Sequence, residues 1–193
     1  MISGIVLAAG TSSRLGQPKQ LLELAGRPLL QHVIDALGKA DLGEIVIVLG
    51  HEADRIAKAL DLSSSAKTIV NREYAAGQST SLRAGLAALN AQSEACVVVL
   101  GDQPSLPSDS IRKVVQSFMD GTSPIVRAVW NGTPGHPVVF DRSVWDELSQ
   151  LTGDHGARDL LVDRNDVEEV EMGSPAIADV DTWSQYDELK ESF

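Results

Sequence analysis

The 193-residue sequence predicts a single α/β domain, built on a doubly wound, mostly parallel sheet with helices on both faces. Two patterns lead to this expectation. Continuous apolar runs of strand length recur along the chain, and segments with a helical spacing of apolar residues separate them. The length and the 43% apolar content suit one domain with a buried core and argue against disorder. No low-complexity linker and no internal repeat divides residues 1–193.

The strand candidates are apolar at almost every position. Runs of this kind are typical of a parallel sheet that helices cover on both faces. The predicted strands are residues 5–7, 45–49, 68–70, 97–100 and 125–129. The single cysteine, Cys96, adjoins the fourth run, so we expect it to pack in the core and exclude an intrachain disulfide.

Four segments between the strands carry apolar residues three and four positions apart, the spacing that gives a helix one apolar face. They are residues 28–37, 52–60, 80–90 and 109–119. The alternation of strand and helix ends near Trp130. Residues 131–137 have the sequence N-G-T-P-G-H-P, which predicts turns, and the strand-like run 138–140 follows. We interpret this later part as a decoration of the same domain.

Charge and targeting signals argue against several classes of function. The 16 Lys and Arg residues against 27 Asp and Glu give a net charge of −11, the wrong sign for displacing counterions from nucleic acid. We therefore expect no nucleic-acid partner and interpret the acid excess as a solvated surface. The first apolar run, residues 5–9, has no basic residue before it and ends too early for a signal peptide or a membrane span. A cytoplasmic protein with no membrane partner is the expectation.

The loop after the first strand is the first candidate binding site, because ligands of open α/β sheets bind at the carboxyl ends of the strands. Small residues around Gly10 allow the backbone to approach a ligand, and successive amide groups in such a loop can cradle phosphate oxygens. Arg14 and Lys19 add positive charge for a triphosphate. The spacing to Gly16 fits neither G-x-G-x-x-G nor G-x-x-x-x-G-K. The residues alone therefore leave open a flexible connection with two solvated cations.

A carboxylate follows the fourth predicted strand. Asp102 stands in the turn G-D-Q-P at residues 101–104, where its oxygens could hold Mg²⁺. An aspartate in such a turn also commonly forms an Asx-turn or caps a helix. The pattern itself leaves both roles open. No zinc-ligand pattern such as H-E-x-x-H or C-x-x-C occurs in the sequence.

Six motifs, in order, resemble those of the MobA-like nucleotidyltransferase family. Residues 7–19 resemble L-A-x-G-x-S-x-R-M-G-x-x-K with Leu15 in place of methionine, and residues 101–104 resemble G-D-x-P. The other four are N-x-x-x-x-x-G-x-x-x-S-L-x-x-G-L at 71–86, G-H-P-V-x-F at 135–140, L-x-G-D-x-G-A-R at 151–158 and D-I-D-T at 179–182. The match also includes residues 20–30, as in molybdenum cofactor cytidylyltransferases, and covers about residues 4–187.

The resemblance implies a Rossmann-like nucleotidyltransferase fold and roles for the matched residues. It implies that Arg14, Lys19 and Asp102 are catalytic and that Asp102 and Asp181 bind Mg²⁺. The nucleotide-binding residues it implies are Leu7, Ala8, Ala9, Gly10, Ser12, Ser13, Arg14, Lys19, Asn71, Gly77 and Ser81. The acceptor-binding residues it implies are His136, Gly153, Asp154 and Arg158. Residues 1–107 would form the nucleotide half, and residues 131–182 would carry the acceptor side.

Local structure offers other roles for two of these motifs. Segment 71–86 also suits a loop followed by a Ser or Thr N-cap for a helix from Thr80. Asp181 also suits the N-cap of a helix that begins near Trp183.

The implied reaction transfers CMP from CTP to the phosphate of the molybdenum cofactor and releases pyrophosphate. Members with alanine at the positions of both Ala8 and Ala9 tend to use CTP, whereas glycine at the second goes with GTP. The implied partners are CTP or another nucleoside triphosphate, a molybdopterin-type acceptor and a molybdoenzyme of the xanthine dehydrogenase type. Two other functions remain open: nucleotidyl transfer to another small phosphorylated acceptor, and non-catalytic delivery of the cofactor to a molybdoenzyme.

Overall fold

The computed structural model describes residues 1–154, 156–162, 164–173 and 177–193. The strands are β1 (Ile2–Ala8), β2 (Glu23–Leu24), β3 (Arg27–Pro28), β4 (Glu44–Leu49), β5 (Ala66–Val70), β6 (Ala95–Leu100), β7 (Ile125–Trp130), β8 (Thr133–Asp141) and β9 (Val167–Glu171). The helices are α1 (Leu29–Gly38), α2 (Ala53–Ala59), α3 (Gln78–Ala87), α4 (Ser108–Asp120), α5 (Trp145–Gln150), α6 (Arg158–Leu161) and α7 (Trp183–Ser192).

The main sheet has seven strands in the order β5-β4-β1-β6-β8-β7-β9. Strands β5, β4, β1 and β6 are parallel neighbours, β8 runs antiparallel to both β6 and β7, and β9 is parallel to β7. The doubly wound, mostly parallel sheet predicted from the apolar runs is therefore confirmed. Strands β2 and β3 form a separate two-stranded ribbon.

Helices cover both faces of the sheet, because alternate residues of each strand point to opposite sides. On one face, α1, α2 and α4 pack against Val6, Ile47 and Val97. On the other face, α3 and α5 pack against Ile5 and Val46, and against the fully buried Cys96. Apolar side chains from both faces of the central strands thus form the core, which explains why those strands lack polar alternation.

Three local features differ from the sequence-based expectations. The turn expected across 131–137 is confined to Asn131 and Gly132, which both have positive φ and join β7 to β8 as a two-residue hairpin. Strand β9 was not predicted; its V-E-E-V-E sequence is rich in charge because it lies at the edge of the sheet. Helix α3 begins at Gln78 with Gly77 as its N-cap, so the expected Ser or Thr cap is absent there.

Within the described ranges, no helix has the length and apolar character needed to cross a membrane.

Candidate active site

The candidate site lies where β1 and β6 end side by side. Successive strands are added on opposite sides of β1 at this point, which is where ligands of doubly wound sheets bind. The Gly101 amide donates to the Leu7 carbonyl oxygen at 2.9 Å. A Cβ at residue 101 would lie 2.8 Å from Ala8 Cβ, so glycine is needed to hold the G-D-Q-P turn against the end of β1.

The loop after β1 is folded tightly around Ser12, which has a positive φ of 53°. The Ser12 carbonyl oxygen accepts from the amides of Leu15 and Gly16 at 3.0 and 3.2 Å, and its hydroxyl accepts from the Lys19 amide at 3.0 Å. The side chain of Gln20 is buried beneath the loop and donates to the carbonyl oxygens of Ala8, at 2.8 Å, and Gly10, at 3.3 Å. These hydrogen bonds tie the loop to its own backbone and to Gln20, which favours a built binding loop over a flexible connection.

Lys19, Asp102 and Asp181 form an ion cluster at the end of this loop. Lys19 Nζ donates to Asp102 Oδ2 at 2.5 Å and to Asp181 Oδ1 at 2.7 Å. Burial lowers the pKa of Lys19, but the two carboxylates outweigh it and leave that pKa above its usual value. The hydrogen bond from Lys19 lowers the pKa of Asp181. Lys19 and Asp181 are therefore both charged at neutral pH.

Asp181 reaches the cluster because the C-terminal segment returns to the loop. The Val180 amide donates to the Asp102 carbonyl oxygen at 3.1 Å, and the Val180 side chain packs in an apolar cluster with Leu15 and Tyr186. The N-cap of α7 is Thr182, in a capping box with Gln185, and not Asp181. The Asp181 side chain is consequently free of the capping role and faces Lys19 and Arg14.

The two carboxylates suit a divalent metal bound together with substrate. Asp102 Oδ1 is buried and has no hydrogen-bond partner in the described structure, an arrangement that a cation would relieve. Among the described residues, no group of three or more His, Cys, Asp or Glu side chains could hold a metal. Mg²⁺ sites that use one or two carboxylates plus substrate phosphates have this composition, because the ion retains several waters.

A cavity of about 400 Å³ lies beside the ion cluster and contains most of the predicted nucleotide-binding residues. Those that line it are Leu7, Ala8, Ala9, Gly10, Lys19 and Ser81, together with Asp102 and Asp181. Asp154, which we assigned to the acceptor side, also lines this smaller cavity and accepts from the Gln78 amide at 3.3 Å. Gln20, Tyr74 and Gln78 line it as well and were not predicted.

A second cavity of about 730 Å³ adjoins the first, sharing Leu7, Gln78 and Leu100 with it. Two predicted acceptor-side residues, His136 and Arg158, line this larger cavity. Burial lowers the pKa of His136 to about 4, although the charge of Asp102 acts in the opposite direction. The imidazole is therefore neutral at pH 7.

Four further residues of the larger cavity were missed: Gln103, Arg127, Trp130 and Asp179. Gln103 Nε2 donates to Asp179 Oδ1 at 2.8 Å. Burial raises the pKa of Asp179, and so does the neighbouring charge of Asp102. Trp130 Nε1 donates to the His136 carbonyl oxygen at 3.0 Å, which fixes the indole in the cavity wall.

The remaining predicted residues lie outside the linings of both cavities. Ser12 shapes the loop, Ser13 is exposed, and Arg14 is exposed with Nη1 3.4 Å from Asp181 Oδ2. Asn71 is buried and donates to the hydroxyls of Thr80 and Ser81, at 2.8 and 3.0 Å, at the start of α3. These positions give Asn71 a supporting role in this structure, since its amide is already used inside the protein.

Gly77 and Gly153 touch each other. A Cβ at residue 77 would lie 2.4 Å from the Gly153 carbonyl oxygen, and that oxygen accepts from the Ser79 amide at 3.2 Å. The contact brings the L-T-G-D segment against the start of α3, at the junction of the two cavities. Direct contact of either glycine with a substrate stays a prediction.

A cation-bearing loop and a pair of aspartates at the switch point of such a sheet suit a nucleotidyltransferase. The family comparison agrees. The chain belongs to the family described as the MobA-like NTP transferase domain, whose model matches residues 4–169.

Curated proteins with similar sequences have different names. The chain is 30% identical to the molybdenum cofactor cytidylyltransferase of Escherichia coli K12, over 100% of this chain and 97% of that protein. It is 31% identical to the nicotine blue oxidoreductase of Paenarthrobacter nicotinovorans, over 83% and 81%. It is 29% identical to the bifunctional protein GlmU of Sorangium cellulosum over 89% of this chain, which spans only 37% of that longer protein.

Solved structures agree with the fold over nearly the whole chain. Rv0371c from Mycobacterium tuberculosis H37Rv superposes with a TM-score of 0.88 at 32% identity, covering 98% of this chain and 97% of that one. A complex of the same protein with manganese superposes with a TM-score of 0.85 at 31% identity, covering 100% and 99%.

Proposed function

We propose that this protein transfers CMP from CTP to the phosphate of a molybdopterin-type cofactor and releases pyrophosphate. The ion cluster of Lys19, Asp102 and Asp181 carries the proposal, because it lies beside the smaller cavity at its junction with the larger one. Similarity to a molybdenum cofactor cytidylyltransferase over the full chain supports the acceptor. A molybdoenzyme of the xanthine dehydrogenase type would receive the product.

In this proposal, the smaller cavity binds the nucleotide and the larger cavity binds the acceptor. Residues 1–107 supply the loop and the G-D-Q-P turn of the nucleotide half, while residues 131–182 supply His136, Arg158 and Asp179 of the larger cavity. The larger cavity has a volume that suits a small-molecule ligand. Its aromatic wall at Trp130 and its arginines Arg127 and Arg158 suit a planar, anionic acceptor.

The chemistry requires alignment and charge neutralisation and no covalent enzyme intermediate. An oxygen of the acceptor phosphate attacks the α-phosphorus of CTP and forms the new P–O bond. The bond from the α-phosphorus to its bridging oxygen breaks, and pyrophosphate leaves with the electron pair. The phosphate nucleophile is already ionised at neutral pH, so no general base is needed. Loop amides of residues 9–13 and Arg14 would hold the β- and γ-phosphates, and Lys19 would stabilise charge around the α-phosphate.

Asp102 and Asp181 would hold the Mg²⁺ ion. When bound, Mg²⁺ would neutralise phosphate charge and orient the two reactants. The buried Asp102 Oδ1, which has no hydrogen-bond partner in the described structure, supports a divalent metal here. A structural relative has been solved as a complex with manganese.

Pyrophosphate release from CTP in the presence of purified molybdenum cofactor tests the proposal. We expect one pyrophosphate for each dinucleotide product detected by mass spectrometry, and much slower release with GTP. Release with a sugar phosphate but not with the cofactor would reassign the acceptor. Cofactor binding without release from any nucleoside triphosphate would favour a delivery protein.

A further inference from the structure

We propose that Lys19 is the counter-ion of the Asp102–Asp181 pair until a nucleotide arrives, so that the divalent cation binds together with the triphosphate and not before it. The inference rests on the proposed nucleotidyl transfer and adds an order of binding to it. It gives Lys19 a second role, distinct from stabilising charge during the reaction.

The Lys19 ammonium lies where it neutralises both carboxylates. Its Nζ is 2.5 Å from Asp102 Oδ2 and 2.7 Å from Asp181 Oδ1. The side chains of Lys19 and Asp102 are 13% and 19% exposed, so little water screens that pair, whereas the Asp181 side chain is 43% exposed and its pair with Lys19 is screened more. Because Coulomb repulsion is strong at such short range when water is scarce, a divalent cation on the same carboxylates would strongly repel the ammonium. Binding of a metal that engages both carboxylates is therefore strongly disfavoured until Lys19 leaves, although Asp102 Oδ1 has no partner in the described structure.

The smaller cavity provides the place to which Lys19 can move. Lys19 lines that cavity beside Ala8, Ala9 and Gly10, where the triphosphate is expected. Phosphate oxygens would give the ammonium strong, charge-assisted hydrogen bonds in place of those to the carboxylates. The two aspartates would then lack their close counter-ion, because the other cation, Arg14, is exposed and 3.4 Å from Asp181 only. The metal restores the charge balance.

Binding of Mn²⁺ to the nucleotide-free, full-length protein tests this order. Free Mn²⁺ is measured by electron paramagnetic resonance for the wild type, Lys19→Met and Lys58→Met. Lys58 is exposed on α2, so its substitution is the control for an equal change in net charge. We expect Lys19→Met to bind Mn²⁺ at least about tenfold more tightly than the wild type, and Lys58→Met to match the wild type. Adding Asp102→Asn to Lys19→Met should abolish the gain.

Two further variants separate charge from folding. Lys19→Arg keeps the charge and should bind Mn²⁺ as weakly as the wild type, whereas Lys19→Gln should behave like Lys19→Met. Thermal unfolding identifies any variant that has lost its fold. Equal Mn²⁺ affinity of the wild type and both neutral variants, including no binding by any of them, would overturn the proposal. Since the probe is Mn²⁺ alone, failure of CMP transfer would not alter this result, and the two hypotheses can fail separately.

Discussion

Substitution of Asp102 by asparagine removes one negative charge from the ion cluster and keeps the size of the side chain. Asp102 is bonded to Lys19 through Oδ2, and its buried Oδ1 has no partner in the described structure. If the carboxylate holds Mg²⁺ against phosphate charge, we expect turnover to fall by about 10²–10³-fold, equivalent to about 2.7–4 kcal/mol of transition-state stabilisation.

The same substitution should leave the protein folded. Removing one partner of a buried ion pair costs about 3–5 kcal/mol when the other charge is left alone. Here Lys19 keeps its 2.7 Å contact with Asp181, so we expect a smaller loss of about 1–2 kcal/mol. For a chain of this size, that lowers Tm by roughly 2–8 °C.

Pyrophosphate release at saturating CTP and Mg²⁺ measures the rate, and circular dichroism on heating measures Tm. Asp187→Asn is the matched control, because Asp187 is exposed on α7 and lies outside both cavities. A wild-type-like rate for Asp102→Asn at ordinary Mg²⁺ would remove Asp102 from the metal site. A rate loss that accompanies a lost unfolding transition would show a structural role instead.

Four other substitutions test separate parts of the structure. If Lys19 stabilises negative charge that develops in the transition state, Lys19→Ala should lower kcat more than it raises the KM for CTP. Steady-state kinetics measure both constants, and an unchanged kcat would contradict this role. Ala9→Gly should weaken the preference for CTP over GTP, because Cβ of this buried, cavity-lining residue narrows the space for a base. Competition kinetics measure the ratio of CTP use to GTP use, and a wild type that prefers GTP would contradict the assignment of CTP as the substrate. His136→Gln should make the free energy of unfolding less dependent on pH on the acid side. The pKa of His136 is about 4 in the folded protein and about 6.5 in the unfolded chain, so up to about 3 kcal/mol of stability is present above pH 6.5 and is lost as pH falls toward 4. Denaturant titrations at several pH values measure this, and the same dependence of stability on pH in the variant and the wild type would refute it. Gly101→Ala should cost about 1–3 kcal/mol through its 2.8 Å clash with Ala8 Cβ, whereas Gly38→Ala, with nothing within 4 Å of the new Cβ, should not lower Tm.

The sheet could be predicted because the sequences of its central strands are continuously apolar, as expected for strands buried on both faces. Val97, Val98 and Val99 are all buried, and a short run of β-branched residues is typical of a strand covered on both faces. Strand β9 could not be predicted in the same way. Its charged glutamates can be tolerated because β9 is an edge strand, but the order of the strands in the sheet cannot be read from the sequence.

The candidate site was predicted less completely, because its members come from distant parts of the chain. Arg14, Lys19 and Asp102 follow predicted strands, so the rule for α/β sheets places them at one edge. Asp181 follows no predicted strand and entered only through the family resemblance. Gln20 and Gln103 carried no local signal: an amide that supports a loop or orients a carboxylate looks like any polar residue until the fold brings its partner near.

The ion cluster can form only after the C-terminal segment has been synthesised, because Asp181 belongs to that segment. Strands β1, β4, β5 and β6 and helices α1–α4 all precede residue 121, so most of the sheet can pack while later residues are still being synthesised. Asp181 then joins Lys19 across 162 residues of sequence, and Tyr186 fastens α7 to the Glu23 carbonyl oxygen. A chain that ends before residue 181 would contain Lys19 and Asp102 but would lack the second aspartate of the ion cluster. Under the proposed function, the metal site would be complete only after the segment before α7 has packed against the loop that follows β1.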